Sequence, residues 1–533
     1  MPDTLSNSIS GVKPSQMTQE TDQIQTYSKV NNQAAHNSGP APLTAENSSS
    51  PIELSAKELS LFISQGFLKL DTGLPLSFHQ YMVAQLSESV MGNNVVPSCP
   101  ELDKVYSSPK VAGAIQSILG KDYCLHSHRH LHMSPSGTDI GGWHKDSQWG
   151  YGRRQRNNRP RWAMLLYFPN ELPKELGGTG IIPGLQYTHQ NLQDEEQWEL
   201  GQSTIGEAGT CVLMHYDTWH ARYSNRSDID RIMVKLQFFA LKDPEPRSDL
   251  YDPNWALPEP ISQRGMWNYI WKWYGGEPML PIEDPTLVTS ALEKLSAPTW
   301  QERNLGADQL SLCSNLGEEA ILALKSTLED HSEIVATNGA IALAHQGETG
   351  LKFLHDAFLL ENPKHLQSLI QGFIVGGAAS SNLILSLADH DTPEIRALAC
   401  YALGEIGMNE VDHLETLRQH LSQDENLKVQ INAAYALGIH PFGYKCLQSL
   451  VDCLQEENDE LRMFSMYGIL RHIDHAQPWE DIIVRTLCDG NRYLIALAVE
   501  ALHHLNTPSS LQAVISYLKV HRWCEQNGTR AGF

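Results

Sequence analysis

From residue 335 onward the chain repeats itself. Aligning Val335, Leu366, Ile395, Val429, Leu461 and Leu494 brings six similar stretches into register, 31, 29, 34, 32 and 33 residues apart. Their centres read GAIAL (339–343), QGFI (371–374), ACYAL (399–403), AAYAL (433–437), SMYGI (465–469) and AVEAL (498–502). Small residues recur where helices must approach closely. A helical hairpin of this length cannot bury its own apolar face, but a stack of them can, so the pattern predicts an α-solenoid. The tetratricopeptide and ankyrin signatures are absent.

The first half of the chain follows a different period. In Gly141-Gly-Trp-His144-Lys-Asp146, the histidine and the aspartate stand two apart, which on a strand points both to one side of the sheet. His220 lies 76 residues later, after the apolar run Gly209-Thr-Cys-Val-Leu-Met. Two imidazoles and a carboxylate fill one face of an octahedral metal and leave the opposite face open, as non-haem Fe(II) oxygenases require. Asn225, Ser227 and Asp228 are turn formers, and a β-prone run follows Arg231. The stretch His220–Arg231 therefore reads as a hairpin, with these two residues facing each other across its ladder. An arginine there offers a fixed fork for the far carboxylate of a dicarboxylate.

These features together resemble the phytanoyl-CoA dioxygenase family of Fe(II)/2-oxoglutarate oxygenases. So do the entry (a helix from Ser55, then Gly66-Phe67 and a short strand), the helix-like Val111–Gly120, and Gly177-Gly-Thr-Gly-Ile-Ile-Pro183-Gly184. The resemblance covers roughly residues 55 to 275. It implies a double-stranded β-helix (jelly-roll) domain with flanking helices, and His144, Asp146 and His220 as iron ligands. It also implies Arg231 and, on the strand Trp162-Ala-Met-Leu-Leu-Tyr-Phe, Trp162 as 2-oxoglutarate-binding residues. The implied reaction is oxidative decarboxylation of 2-oxoglutarate by O2, coupled most simply to hydroxylation of a small-molecule substrate. Two departures put the substrate class in question: Leu185-Gln186 stand where the family has Ser-His, and Arg222 where a small hydroxyl residue is common. The repeats, with Asp391-Thr-Pro-Glu-Ile-Arg396 before one helix, resemble HEAT-like repeats of the phycobilisome-lyase type. Helical repeats that bind a di-iron centre through His-Glu pairs are excluded, since no His-Glu dipeptide occurs.

Composition bounds the remaining functions. A formal net charge of −23 argues against nucleic acid, which rewards basic proteins through counterion release. Nine cysteines form no CxxC and no paired spacing, as expected of buried thiols in a reducing compartment. The start MPDTLSNSIS has neither the basic nor the apolar region of a secretory signal, and no run approaches a membrane span. A cytoplasmic location is the expectation. Residues 1–50, rich in Ser, Asn, Gln and Thr, read as a disordered tail. The oxygenase domain should occupy 51–276, a proline-rich linker 277–300, the solenoid 301–523 and a short tail 524–533. On that division a chain ending near Pro285 should fold and retain uncoupled 2-oxoglutarate decarboxylation, and the acidic solenoid is free to bind a protein partner, preferably a basic one.

Two further features invite a role. His126, His128, His130 and His132 alternate, so they should project from one strand face, either as a solvated or core ladder or, His130 above all, toward substrate. The run Trp149–Trp162 holds five arginines and no acid. It reads either as a solvated loop or as an electropositive lid, with Arg153 and Arg154 contacting an anionic substrate. The competing class is a non-catalytic HEAT-repeat scaffold with a relic or metal-binding barrel. An intact set of ligands together with Arg231 speaks against decay.

Overall fold

The structure, a computed structural model, describes residues 50–520 except 88–93, 147–157, 189–193, 252, 254, 256–260 and 361–362. The expected tails and Arg153, Arg154 and Arg156 therefore lie outside the described residues. Among the described residues nine strands follow in order: β1 Phe67–Asp71, β2 Tyr123–Leu125, β3 His130–Ser134, β4 Trp162–Phe168, β5 Thr179–Ile181, β6 Gln202–Ser203, β7 Thr210–His215, β8 His220–Arg222 and β9 Arg231–Ala240. They form two antiparallel sheets of jelly-roll type, one ordered β1-β7-β4-β9-β2 with β3 also on β9, the other β6-β5-β8.

Strand parity sorts the core. Met164, Leu166 and Phe168 of β4 share a cluster with Val212, Met214, Ile181 and Phe239. Their neighbours Ala163, Leu165 and Tyr167 face the other way, onto Val111, Ala114, Ile115 and Ile118 of the helix Pro109–Leu119. Both faces of the large sheet are thus covered, which is why β4 reads as a continuous apolar run. The entry helix Ala56–Gln65 starts at a capping box between Ser55 and Glu58 and stops at Gly66, whose φ of 82° suits glycine.

The hairpin expected between His220 and Arg231 does not form. β8 belongs to the small sheet, where His220 pairs with Ile181, while Arg231 sits in the large sheet opposite Ser134. A turn-rich stretch between two β-prone runs looks the same whether it folds back or crosses between sheets, and here it crosses.

The repeats form as expected, with one more turn of the stack. Helices Trp300–Ser311, Glu333–Ala344, Leu366–Gly376, Pro393–Ile406, Leu427–Ile439, Asp459–Arg471 and Arg492–Leu505 alternate with outer helices. The stretch read as a linker carries a helix of its own, Pro285–Leu295, packed on Trp300–Ser311. Pro285 sits at the first helical position, where its missing N–H costs nothing, and Asp284 caps the Thr286 N–H. Leu366–Ala388 has the length and mean hydropathy (23 residues, 1.4) of a membrane span. It is nevertheless two repeat helices flanking a short 3-10 turn, whose apolar faces fill the solenoid core.

The solenoid packs directly on the barrel. Arg161, fully buried, bonds Glu405 at 2.6 Å and Asp243 at 2.7 and 2.9 Å. Arg471 donates to the Ala240 carbonyl at 2.9 Å and to Asp243 at 2.7 Å. Tyr467 packs on Trp162 and Phe239. Two arginines of the run read as a solvated loop or an electropositive lid, Arg159 and Arg161, are therefore seam residues, both reaching Glu405. Burial would lower the charge stability of Arg161, but Asp243 and Glu405 more than offset it and hold the guanidinium far above its ordinary range.

Candidate functional site

His144 and His220 meet across a narrow antiparallel bridge. Each donates its backbone N–H to the other's carbonyl at 3.0 Å, and their rings lie 4.4 Å apart. The ring orientation is set locally. His144 Nδ1 faces the Gly142 carbonyl at 3.0 Å and His220 Nδ1 the Thr218 carbonyl at 3.0 Å. A carbonyl only accepts, so both Nδ1 atoms carry the proton and both Nε2 lone pairs are left for a ligand. Asp146 Oδ1 lies 3.8 Å from one Nε2 and 3.7 Å from the other, and a donor atom from each of the three residues lies within 4.8 Å of the others.

The second oxygen of Asp146 is occupied. Lys235 Nζ donates to Oδ2 at 2.8 Å, with Gln237 at 3.5 Å. Burial alone would raise the Asp146 carboxyl, but His220 and Lys235 outweigh it and hold it at about 2. Burial also lowers His220, to about 4, against the pull of Asp146. At neutral pH His220 is therefore a neutral imidazole and Asp146 an ionised carboxylate, the states in which each binds a divalent metal.

Lys235 and Gln237 were missed in the sequence, although the signal was there. They lie four and six residues after Arg231 on β9, so all three share a face. Arg231 is 4 % exposed. Its Nη1 donates to the carbonyls of Gly177, Gly178 (2.9 Å) and Tyr223 (3.3 Å), and Nη2 to Ser134 Oγ at 3.0 Å. Among the described residues no carboxylate pairs with it, and burial, aided by Arg222, lowers it to about 10. The crossing that replaces the hairpin still brings it near the triad. Tyr223 is three residues past His220, roughly 10 Å of strand.

Trp162 stands elsewhere. It pairs with Phe239, eight residues and roughly 26 Å of strand from Arg231, and packs on His126, Tyr216, Phe239 and Tyr467. The two residues expected to share a co-substrate are at opposite ends of β9, which makes Trp162 a seam residue.

The histidine ladder divides between two tasks. His126 stacks on Tyr493 of the solenoid and His128 Nδ1 meets the Tyr493 hydroxyl at 3.0 Å. His130 and His132 stand opposite Lys235 and Met233 on β3, their rings 4.7 Å apart. Burial, then Lys235, lowers His132 to about 3, and Asp146 and His220 are close enough to act on it as well. His132 is thus beside the triad, and His130 lies next to it, opposite Lys235. The Leu185-Gln186 departure has a structural cause. Both are fully buried, Gln186 donates to the Ile63 carbonyl at 2.9 Å, and Lys145 donates to the Leu185 carbonyl at 2.6 Å.

A two-sheet barrel joined to a helical stack defines a class of architecture: an oxygenase-type fold carrying a repeat domain. Residues 82–233 match the phytanoyl-CoA dioxygenase (PhyH) family and residues 381–466 match HEAT repeats, so the chain carries a PhyH-type domain followed by HEAT repeats. No curated protein matches it. Among solved structures, EctD from S. alaskensis with 2-oxoglutarate and 5-hydroxyectoine is 18 % identical over 37 % of this chain and 79 % of its own, with a TM-score of 0.31. The non-haem alpha-ketoglutarate-dependent carbocyclase SnoK from nogalamycin biosynthesis is 15 % identical over 37 % and 90 %, also at 0.31. HygX from Streptomyces hygroscopicus is 12 % identical over 37 % and 90 %, at 0.29.

Proposed function

We propose that the chain is an Fe(II)- and 2-oxoglutarate-dependent dioxygenase that hydroxylates a small-molecule substrate. The PhyH domain supports a dioxygenase-type activity. The observation that carries the finer reading is the pairing of a converged His144–Asp146–His220 donor set with a buried arginine that has no carboxylate partner among the described residues. The donor set fits Fe(II): two imidazole nitrogens and one carboxylate oxygen, with the second carboxylate oxygen already taken by Lys235. Bound iron, with 2-oxoglutarate and O2, supplies the oxidising power for attack on a C–H bond.

The protein's own residues do the positioning. The Gly142 and Thr218 carbonyls hold the two imidazoles with Nε2 inward, and Lys235 fixes which carboxylate oxygen Asp146 presents. Arg231 takes the distal carboxylate of the five-carbon co-substrate, which completes the ion pair that the buried guanidinium lacks. Met164, Leu166 and Met214, on the inner sheet face, form apolar walls. His130 and His132 border the site and are the residues we assign to substrate; Arg153 and Arg154 remain assigned to an anionic substrate by their place in the chain. The inner helices hold the barrel, so a protein partner would use the outer ones.

The test is iron-dependent formation of succinate from 2-oxoglutarate. His144→Ala, Asp146→Ala and His220→Ala should each abolish it while circular dichroism stays unchanged, because none of the three belongs to the apolar clusters. Full turnover in any one variant removes that residue from the triad. No turnover in the iron-loaded parent chain sinks the reading.

A further inference from the structure

A second set of metal-ligating side chains lies at the barrel–solenoid seam. Cys124 is the middle residue of β2, and Glu500 and His504 stand four apart on the last inner helix, Arg492–Leu505, so they share one helix face. Cys124 Sγ is 3.6 Å from Glu500 Oε2 and 3.7 Å from His504 Nε2, and donor atoms of the three residues lie within 4.8 Å of one another. Metal–sulfur bonds of about 2.3 Å and metal–nitrogen or –oxygen bonds of about 2.0–2.1 Å, at tetrahedral angles, place such atoms about 3.5 Å apart. The two separations from Cys124 Sγ are within about 0.2 Å of that edge.

The chemistry is equally specific. A thiolate and a carboxylate together neutralise a divalent cation, and the neutral imidazole completes three protein ligands without adding charge. Sulfur and imidazole select zinc or another borderline transition metal over magnesium or calcium. Cys124 is 5 % exposed, whereas His504 is open to solvent, so the cluster has a buried floor and an entry side. Glu500 also lines a cavity of about 600 Å³ at the same seam, which leaves room for water at a fourth position.

His504 also occupies a telling place in the stack. Asn304, Asn338, Gln371, Glu405, Gly438, Arg471 and His504 follow one another at 33 or 34 residues on successive inner helices. At this position Asn304 and Asn338 donate to the Ser262 carbonyl, Gln371 accepts from Asn158, Glu405 pairs with Arg161, and Arg471 bonds Ala240 and Asp243. In the last repeat the side chain at that position faces Cys124.

We propose that Cys124, Glu500 and His504 form a second divalent-metal site, for zinc or a similar borderline ion, that fastens the last repeat to barrel strand β2. The inference stands apart from the assignment of the triad, which contains no sulfur. Titrating the metal-free full chain with Co(II) tests it, because a thiolate ligand gives a near-ultraviolet sulfur-to-cobalt charge-transfer band that a nitrogen–oxygen triad cannot. The band should saturate at one equivalent in His144→Ala, where the triad no longer competes for cobalt, vanish in Cys124→Ser, and require at least tenfold more cobalt in His504→Ala. Zinc should raise the melting temperature of His144→Ala, but not of the double variant His144→Ala/His504→Ala, in which the triad is disabled as well. Absence of the band in the parent chain overturns the proposal, as does a band that survives in Cys124→Ser. Should Cys124→Ser not fold, the exposed His504 carries the test, and an undiminished band in His504→Ala has the same force.

Discussion

Replacing Arg231 with methionine should separate the two ends of the co-substrate. The guanidinium is 4 % exposed and bonds only neutral acceptors among the described residues, three carbonyls and the Ser134 hydroxyl. In the free protein it is a buried cation without a counter-charge, so removing it relieves one cost while leaving carbonyls without a donor. These oppose each other, and the melting temperature should move little. With 2-oxoglutarate bound the balance changes, because the distal carboxylate would then be buried alone. Breaking a buried pair from one side costs roughly 3–5 kcal/mol. At ~1.4 kcal/mol per tenfold, 2-oxoglutarate should bind about 100-fold more weakly, or worse. The assay is an anaerobic titration of the iron-loaded chain, following the visible band that a chelated 2-oxo acid gives with Fe(II). Pyruvate, which lacks the distal carboxylate, should bind the variant and the parent equally. Arg231→Lys should recover only part of the loss, since an ammonium lacks the planar fork. If 2-oxoglutarate binds Arg231→Met as tightly as the parent, the co-substrate carboxylate lies elsewhere.

Lys235→Met should lower iron affinity by about 10- to 100-fold, the usual effect of losing a partner that orients a ligand, and a competitive chelator titration reads it directly. Asp243, about a third exposed between Arg161 and Arg471, has its carboxyl held well below the ordinary range, because those cations outweigh the effect of burial. Its contribution to stability is therefore fully present above about pH 4 and is lost as pH falls toward its folded value. Asp243→Asn should melt below the parent at pH 7, and the gap should close as the pH is lowered beneath 4. A chain ending near Pro285 should fail to fold cooperatively, because it strips Glu405 and Arg471 from Arg161 and Asp243 and uncovers Trp162 and Phe239. A soluble fragment with a sharp melting transition and normal iron affinity would show that the seam is dispensable.

What was legible in the sequence depended on range. His144, Asp146 and His220 announce themselves because their chemistry is unusual and strand parity is local. The repeats are legible because a period survives variation in its members. Lys235 and Gln237 were within reach of the same parity argument that found Arg231. The hairpin misreading has a plain cause: turn residues say where a chain changes direction, not which sheet it enters next. A proline-rich stretch has the same composition whether its prolines break the chain or, like Pro285, begin a helix. The seam was out of reach. Arg161 and Glu405 are separated by 244 positions and Cys124 and His504 by 380, and no local pattern marks either pair. Nothing in β4 says that Trp162 will meet Tyr467 rather than a co-substrate.

The repeat position shared by Asn304, Asn338, Gln371, Glu405, Arg471 and His504 has a consequence for how such a chain can change. A free-standing solenoid tolerates gain or loss of a whole unit, because every unit meets only its neighbours. Here each unit has an address. Removing one ahead of Glu405 would slide Arg471 to the place of a glycine and bring Glu405 opposite the wrong partner, leaving Arg161 a buried cation facing no acid on the stack. The barrel thus acts as a ruler against which the repeats are counted. It sets their number as firmly as a template sets the length of a copy.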